Sequence, residues 1–423
     1  MDFKNQIPKI KDFASSVLPG VFLIGYNVGT GSVTTMSKAG ANFGLDLLWV
    51  VLISCLTTYY LITLFSRYTM ATGKTIILGI KHHIHPLLAI GLIIALSIII
   101  FTALIGLLNI LAKVLSVWSY SILSIPISKL WWAIIIGLIS YVFLWKGKYQ
   151  LFEKVLAVLV SIMGGAFILT ASINFPSIYE IIEGFIPKIP QIATGSDNSP
   201  SIIFAGMIGT TVSIFAFIIR SQIVKEKGWK MSDNGIQKRD ALVSASLMFI
   251  ISASILITAA TTLHVNGLKM NSVVEMIPLL EPIAGKAALS IFVVGILAAG
   301  LSSHLPNLLV IPWLIIDYKG TIRNTQTYQN RILLFLLTLL SIIGVAFDVK
   351  PVFVMMLSQA SLAIVLPFTL AAIFYLTNKA EFMHDHKNKW YDKLILCLIM
   401  IFSIYTSLLG IIGLKSDLLS ILS

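Results

Sequence analysis

Apolar stretches long enough to cross a bilayer recur eleven times along this chain, and that recurrence leaves little choice of architecture. About 20 helical residues cover the roughly 30 Å of a hydrocarbon core. The stretches run approximately from Val17 to Met36, Leu45 to Phe65, Pro86 to Leu115, Leu130 to Trp145, Val155 to Ile173, Ile202 to Val224, Ala241 to Leu263, Ala287 to Ile316, Ile332 to Phe347, Val352 to Leu376 and Leu394 to Leu414. Hydrocarbon offers backbone N–H and C=O groups no partner, so these stretches are expected to be helices in an all-α integral membrane protein. The longest polar connection, Phe175 to Pro200, is only a loop, and the chain reads as one transmembrane domain over residues 1–423.

The net charge of +12 raises the question of a nucleic-acid partner, and its distribution answers it. With the N-terminus inside, every lysine and arginine except Lys38, Lys113, Lys129, Lys188, Lys269, Lys286, Lys350 and Lys415 falls on the inner side. That asymmetry is the positive-inside pattern, so the basic residues report topology and attraction to anionic headgroups. The expected partner is the lipid bilayer, with no nucleic acid, and the expected location is the cell membrane, multi-pass, with a cytoplasmic N-terminus. Met1 to Asp12 leads into an apolar segment too long and too glycine-broken for a signal peptide, so span 1 is expected to remain uncleaved.

Span 1 is interrupted midway by Gly25-Tyr26-Asn27-Val28-Gly29-Thr30-Gly31-Ser32, which contains no carboxylate. Unwound backbone at membrane depth is tolerated only where it lines a protected cavity, and broken spans point to transport sites. Dividing the chain into repeats of five spans, about 17–173 and 202–376, plus an extra helix at about 394–414, gives the two repeats opposite topology. A second break should then open the second repeat. Span 6 supplies it with Gly206, Gly209, Thr210, Thr211 and Ser213. Asn27 beside the first break has two readings, lining a site or capping a half-helix.

Other features are read as structural. Cys55 and Cys397 lie in different spans and fit packing roles. Pro176 to Ile189 and Asn271 to Leu280 suit short interfacial helices. His82, His83 and His85, like His384 and His386, have no common zinc spacing and suit solvated loops. Signatures of zinc peptidases, α/β-hydrolases and phosphate-binding loops are missing from the sequence, and no enzyme is expected.

The stretch Ala39-Gly40-Ala41-Asn42-Phe43-Gly44-Leu45-Asp46-Leu47-Leu48-Trp49 resembles the segment joining spans 1 and 2 of the NRAMP (natural resistance-associated macrophage protein) family of divalent-metal transporters. Arg67 with Ala71-Thr72-Gly73-Lys74, Leu297-Ala298-Ala299-Gly300-Leu301-Ser302-Ser303, Leu357-Ser358-Gln359 and Leu366-Pro367-Phe368 extend the resemblance over nearly the whole chain. It implies a LeuT-type fold, two inverted repeats of five helices plus an eleventh, and alternating access at a central site. It also implies a divalent cation such as manganese or iron as cargo, moved by symport, with no resident cofactor.

Where the family breaks span 1 at Asp-Pro-Gly-Asn, this chain aligns Gly29, Thr30, Gly31 and Ser32. The family's Met-Pro-His-Asn in span 6 falls on Ser213, Ile214, Phe215 and Ala216. Gln359 in span 10 keeps its type. By this alignment the substrate-binding set is Asn27, Gly29, Thr30, Ser32, Thr211, Ser213, Phe215, Ala216 and Gln359, with Ser32, Ser213 and Gln359 as metal ligands. The family's span-3 acids align with Thr102 and Ile105, and all 18 acids are expected at span ends, in loops or in tails. His304 is open between a proton site and a hydrogen-bonded structural residue. Arg220, where the family shows histidine, is open between gating or anion contact and snorkelling to the headgroups. A cargo of small neutral or anionic solute, and a non-transporting membrane sensor, stand as alternatives.

Overall fold

The structure, a computed structural model, describes residues 28–145, 149–173, 175–188, 200–270, 275, 288–321, 326–347 and 350–422. Among them the regular structure is entirely helical. Span 1 contributes α1 (Thr30–Phe43) and span 2 contributes α2 (Leu48–Thr72), followed by a short α3 (Ile76–His83). Spans 3, 4 and 5 are α4 (Pro86–Leu123), α5 (Lys129–Trp145) and α6 (Tyr149–Ile173), and α7 (Ile178–Gly184) follows. Span 6 is split into α8 (Pro200–Thr211) and α9 (Ile214–Glu226). Spans 7 to 10 are α10 (Asn234–Ala259), α11 (Ala288–Lys319), α12 (Tyr328–Ala346) and α13 (Pro351–Asn378). A short α14 (Ala380–Met383) precedes span 11, α15 (Trp390–Leu422).

The helices sort into two packed groups. In one, α10 lies along α1 and α2, α9 packs on α2, and α8 packs on α1. In the other, α4 is the central post, touching α5, α11 and α12, while α6 packs on both α11 and α10. Helix α13 joins the groups by contacting α8, α4 and α15. Every described residue of α8 from Ile202 and of α9 through Val224 is buried, so span 6 forms the axis of the molecule. Outer helices instead expose Leu, Ile and Phe along one face, as α15 does with Leu398, Ile401, Tyr405 and Ile412. Such apolar faces suit a lipid surrounding.

Close helix crossings depend on missing side chains. A β-carbon on Gly40 would stand 2.4 Å from the Leu256 carbonyl, so glycine alone lets α1 press onto α10. Gly44 turns the chain out of α1 with φ of +57°, and His264 Nδ1 lies 3.0 Å from the Ala41 carbonyl across that turn. His264 is reached through one π-helical turn, Ala260–His264, which extends α10.

Several elements exceed the lengths expected from hydropathy. Helix α4 runs to Leu123 rather than Leu115, since Ser116 and Ser119 turn their hydroxyls onto backbone carbonyls. Helix α2 continues to Thr72, where Gly73 at φ +67° closes it. The segment carrying His82 and His83 is helical, not a solvated loop: His83 stacks on Phe382 at 3.9 Å and lies 3.1 Å from Lys74 Nζ. Helix α7 forms within the expected interfacial segment, closed by a capping box between Ser177 and Glu180. The part of span 1 before Val28, including Asn27, lies outside the described residues, as does most of Asn271 to Leu280.

Candidate functional site

Backbone chemistry sets the start of α1 and the break in span 6. Gly29 is extended, with φ −101° and ψ −154°, and α1 starts at the next residue without a side-chain cap. In span 6, α8 stops at Thr211 and α9 restarts after an extended Ser213 with φ −77° and ψ 119°. The interruption frees the Thr211 carbonyl, which accepts the Thr58 hydroxyl at 2.8 Å from the neighbouring α2. A buried carbonyl left without such a partner is destabilising, so Thr58 is what makes the break tolerable. The Thr35 hydroxyl donates back to the Gly31 carbonyl at 2.9 Å, steadying the first turn of α1.

The start of α1 and the break in span 6 meet at a small cavity of about 30 Å³. Span 1 contributes Gly29 and Gly31, and span 6 contributes Thr210, Ser213 and Phe215. Opposite them, α11 offers Ser303 and Asn307, one helical turn apart, and α13 offers Met355, Ser358 and Gln359. Helix α4 closes the wall with the apolar Ile100, Ala103 and Leu107. The hydroxyls of Ser32 and Thr210 lie 2.9 Å apart, pinning α1 to α8 behind the cavity. Ser358 donates to the Ile99 carbonyl at 3.1 Å, tying α13 to α4.

Glycine lets the elements approach closely at this meeting point. A β-carbon on Gly29 would fall 1.5 Å from Ser303 Oγ, and one on Gly31 would fall 2.8 Å from Gln359 Nε2. A β-carbon on Gly209 would stand 1.9 Å from the Gln359 carbonyl. Side chains from the far wall thus fill the space that residues 29 and 31 would otherwise occupy. No aspartate or glutamate lines the cavity, and no group of three or more His, Cys, Asp or Glu suited to a metal occurs among the described residues.

Of the residues singled out in the sequence, Gly29, Ser213, Phe215 and Gln359 line the cavity, and Ser32 supports it through Thr210. Thr30 is fully buried with its hydroxyl unpaired, Thr211 turns its hydroxyl back to the Met207 carbonyl at 2.9 Å, and Ala216 is buried away from the wall. Ser303, Asn307, Ser358 and Met355 carry the wall without having been singled out for it. The i, i+4 spacing of Ser303 and Asn307 around Pro306 was the available signal. Pro306 lacks the amide that would bond the Ser302 carbonyl, and this loosens α11 beside the cavity. Met355 brings a thioether from span 10, although the span-6 alignment places none.

The charged residues also take unexpected positions. Arg220 does not snorkel: it is fully buried and ion-paired with Asp240 of α10. Its Nε donates to Ser66 Oγ at 3.1 Å, and its guanidinium lies over the Trp229 ring at 5.2 Å. It therefore joins α9, α10 and α2 and does not line the cavity. Asp317, expected in a loop, is inside α11 and buried, with Thr75 Oγ donating to its Oδ1 at 2.5 Å. His304 is fully buried, has no hydrogen-bond partner at either ring nitrogen, and stands off the cavity wall. Of the two readings left open for it, the hydrogen-bonded structural one finds no partner at either ring nitrogen.

Comparison with known proteins places this geometry in context. A family model described as natural resistance-associated macrophage protein-like matches residues 21–413. A divalent metal cation transporter MntH of Staphylococcus saprophyticus is 26% identical over 412 residues, covering 91% of this chain and 89% of the relative. A manganese transporter of Eremococcus coleocola, solved in complex with an aromatic bis-isothiourea substituted compound, superposes with a TM-score of 0.78 at 19% identity, over 96% of this chain and 87% of that one. MHP1, a nucleobase-cation-symport-1 family transporter in a closed conformation, superposes with a TM-score of 0.61 at 13% identity, over 94% of this chain and 90% of that one. The LeuT-type arrangement is thus shared with transporters of quite different cargo.

Proposed function

Because this chain belongs to the natural resistance-associated macrophage protein-like family, we propose that it is a secondary transporter moving a small divalent cation such as manganese or iron by alternating access. The observation that carries this reading is the convergence of oxygen donors on about 30 Å³ between the start of α1 and the break in span 6. Space of that size suits one ion with a water or two and excludes an organic molecule in this conformation. Thr210, Ser213, Ser303, Asn307, Ser358 and Gln359 bring hydroxyl and amide groups to it. Met355 adds a soft sulfur, which favours a transition metal over calcium or magnesium. All these donors are neutral, so the ion keeps part of its hydration and is held weakly, as release requires. Relatives named as divalent metal cation and manganese transporters support the same cargo. The repeats at about 17–173 and 202–376, and a cytoplasmic N-terminus inferred from the lysine and arginine distribution, belong to this reading.

One observation favours a different cargo. The N-termini of α1 and α9 both open at the cavity, and no carboxylate there balances their partial positive charge. A small neutral or anionic solute would suit that field. The deciding experiment is flux into proteoliposomes with a panel of divalent metals and small solutes, each with and without a pH gradient. Saturable manganese uptake abolished by Gln359→Ala is the expected result. Uptake of an organic or anionic solute with no metal flux would overturn the cation reading, and no flux of any solute would favour a sensor.

A further inference from the structure

A second cavity, about 310 Å³, opens where α9 and α11 end, lined by Thr75, Gln222, Lys225, Glu226, Trp313 and Asp317 among others. These are the two helices that wall the central cavity through Ser213 and Asn307. At 1.5 Å per helical residue, the steps from Ser213 to Gln222 and from Asn307 to Asp317 each place it roughly 14–15 Å further along. We propose that this second cavity is a separate binding station for a divalent cation in its hydrated form, held by Asp317 and Gln222 with Glu226 at the rim.

Three observations converge on that chemistry. Asp317 is 6% exposed, and the Thr75 hydroxyl donates to its Oδ1 at 2.5 Å, a bond that fixes the carboxylate as an acceptor. Gln222 is 7% exposed, and its Nε2 donates to the Trp313 carbonyl at 3.5 Å. With the amide in this orientation, its Oε1 is left without a hydrogen-bond partner. A buried, unsatisfied acceptor next to a buried carboxylate calls for a donor, and the waters of a hydrated cation are donors. Lys225 and Glu226 are both exposed at the rim, where solvent screens them, and Asp317 is the buried carboxylate of the inner wall.

Size separates the two stations. The second cavity, about 310 Å³, has roughly ten times the room of the central one, about 30 Å³, so an ion can occupy it with many more of its waters. An ion leaving the neutral central donors would regain its waters here, held mainly through them. This assignment rests on the cation reading of the central site, and the test is designed so that the two can fail separately.

The test is binding of Mn²⁺ alone to the purified full-length protein in nanodiscs, read by the loss of the free-ion electron paramagnetic resonance signal. The expected result is two binding steps. Asp317→Asn and Gln222→Leu should each weaken one step tenfold or more and leave the other in place, while Gln359→Ala removes the other. Gln222→Leu keeps the volume and leaves the Thr75–Asp317 bond intact, so it reports on binding even if Asp317→Asn loosens α11. Two steps that survive both Asp317→Asn and Gln222→Leu would overturn the second station. A single step lost in Gln359→Ala alone would overturn it and leave the central site standing. A single step lost in Asp317→Asn and Gln222→Leu but retained in Gln359→Ala would support the second station and sink the central one. Absence of any Mn²⁺ binding would overturn both.

Discussion

The hydroxyl oxygen of Ser303 stands 1.5 Å from where a β-carbon on Gly29 would be built. The two residues share one volume across the cavity, one by lacking a side chain and the other by supplying it.

Gly29→Ala should therefore act as an overpacking substitution, lowering stability by about 1–3 kcal/mol and abolishing flux. Adding Ser303→Gly to it should recover most of the stability, because the volume is returned. Thermal unfolding of the single and double variants in detergent measures this. Equal melting temperatures for the two would show that Ser303 is not what excludes the side chain.

Thr58→Val removes the only hydroxyl bonded to the Thr211 carbonyl among the described residues, at nearly unchanged volume. The orphaned carbonyl should cost about 1–3 kcal/mol. Hydrogen exchange should rise at the Val212 and Ser213 amides before it rises elsewhere in span 6. Protection unchanged at those amides would contradict the role given to Thr58.

Arg220→Met leaves Asp240 buried without its cation, and loss of about 3–5 kcal/mol is expected. Arg220→Met combined with Asp240→Leu should lose less than either single change, since no isolated charge remains. Denaturation midpoints of the three variants form the cycle. A double variant as unstable as the sum of the singles would show that the two side chains act independently.

His83 predicts an acid sensitivity. Partial burial, then the nearby Lys74 and His82, hold its pKa below 6.5, opposed by Glu381. Protonation thus favours states in which the Phe382 stack is broken. The contribution of this contact is complete above about 6.5 and declines as pH falls toward the lowered folded value. His83→Gln should flatten the fall of melting temperature between pH 7 and 5. An identical pH profile in wild type and variant would remove His83 from the account.

The helices were legible in the sequence because hydrocarbon demands long apolar segments, and the break in span 6 was legible because glycine, threonine and serine interrupt it. Partnerships between side chains far apart in the chain were not. Nothing near Asp240 announces Arg220, and Asp317 looked like a loop acid because hydropathy ends at Ile316 while the helix continues to Lys319. Hydropathy sees average polarity, whereas a partner such as the Thr75 hydroxyl helps hold a carboxylate inside a helix bundle. Alignment found Gln359 and Ser213, which face the cavity, but passed over Ser303 and Asn307. Their importance comes from the depth at which α11 crosses span 1, a tertiary fact. Alignment also placed glycine where the family has aspartate, and the structure gives the reason: the volume is already taken.

The walls of the central cavity are divided between bodies. Gly29, Thr210 and Ser213 belong to the group built on α1 and α8 to α10, Ser303 and Asn307 to the group around α4, and Gln359 to the helix between them. Neither group alone presents a complete set of donors. In the alternating-access reading proposed above, a cargo seated there acts as a removable rivet across a joint, gripping both plates only when they are aligned. On that reading, loaded and empty molecules should rock at different rates.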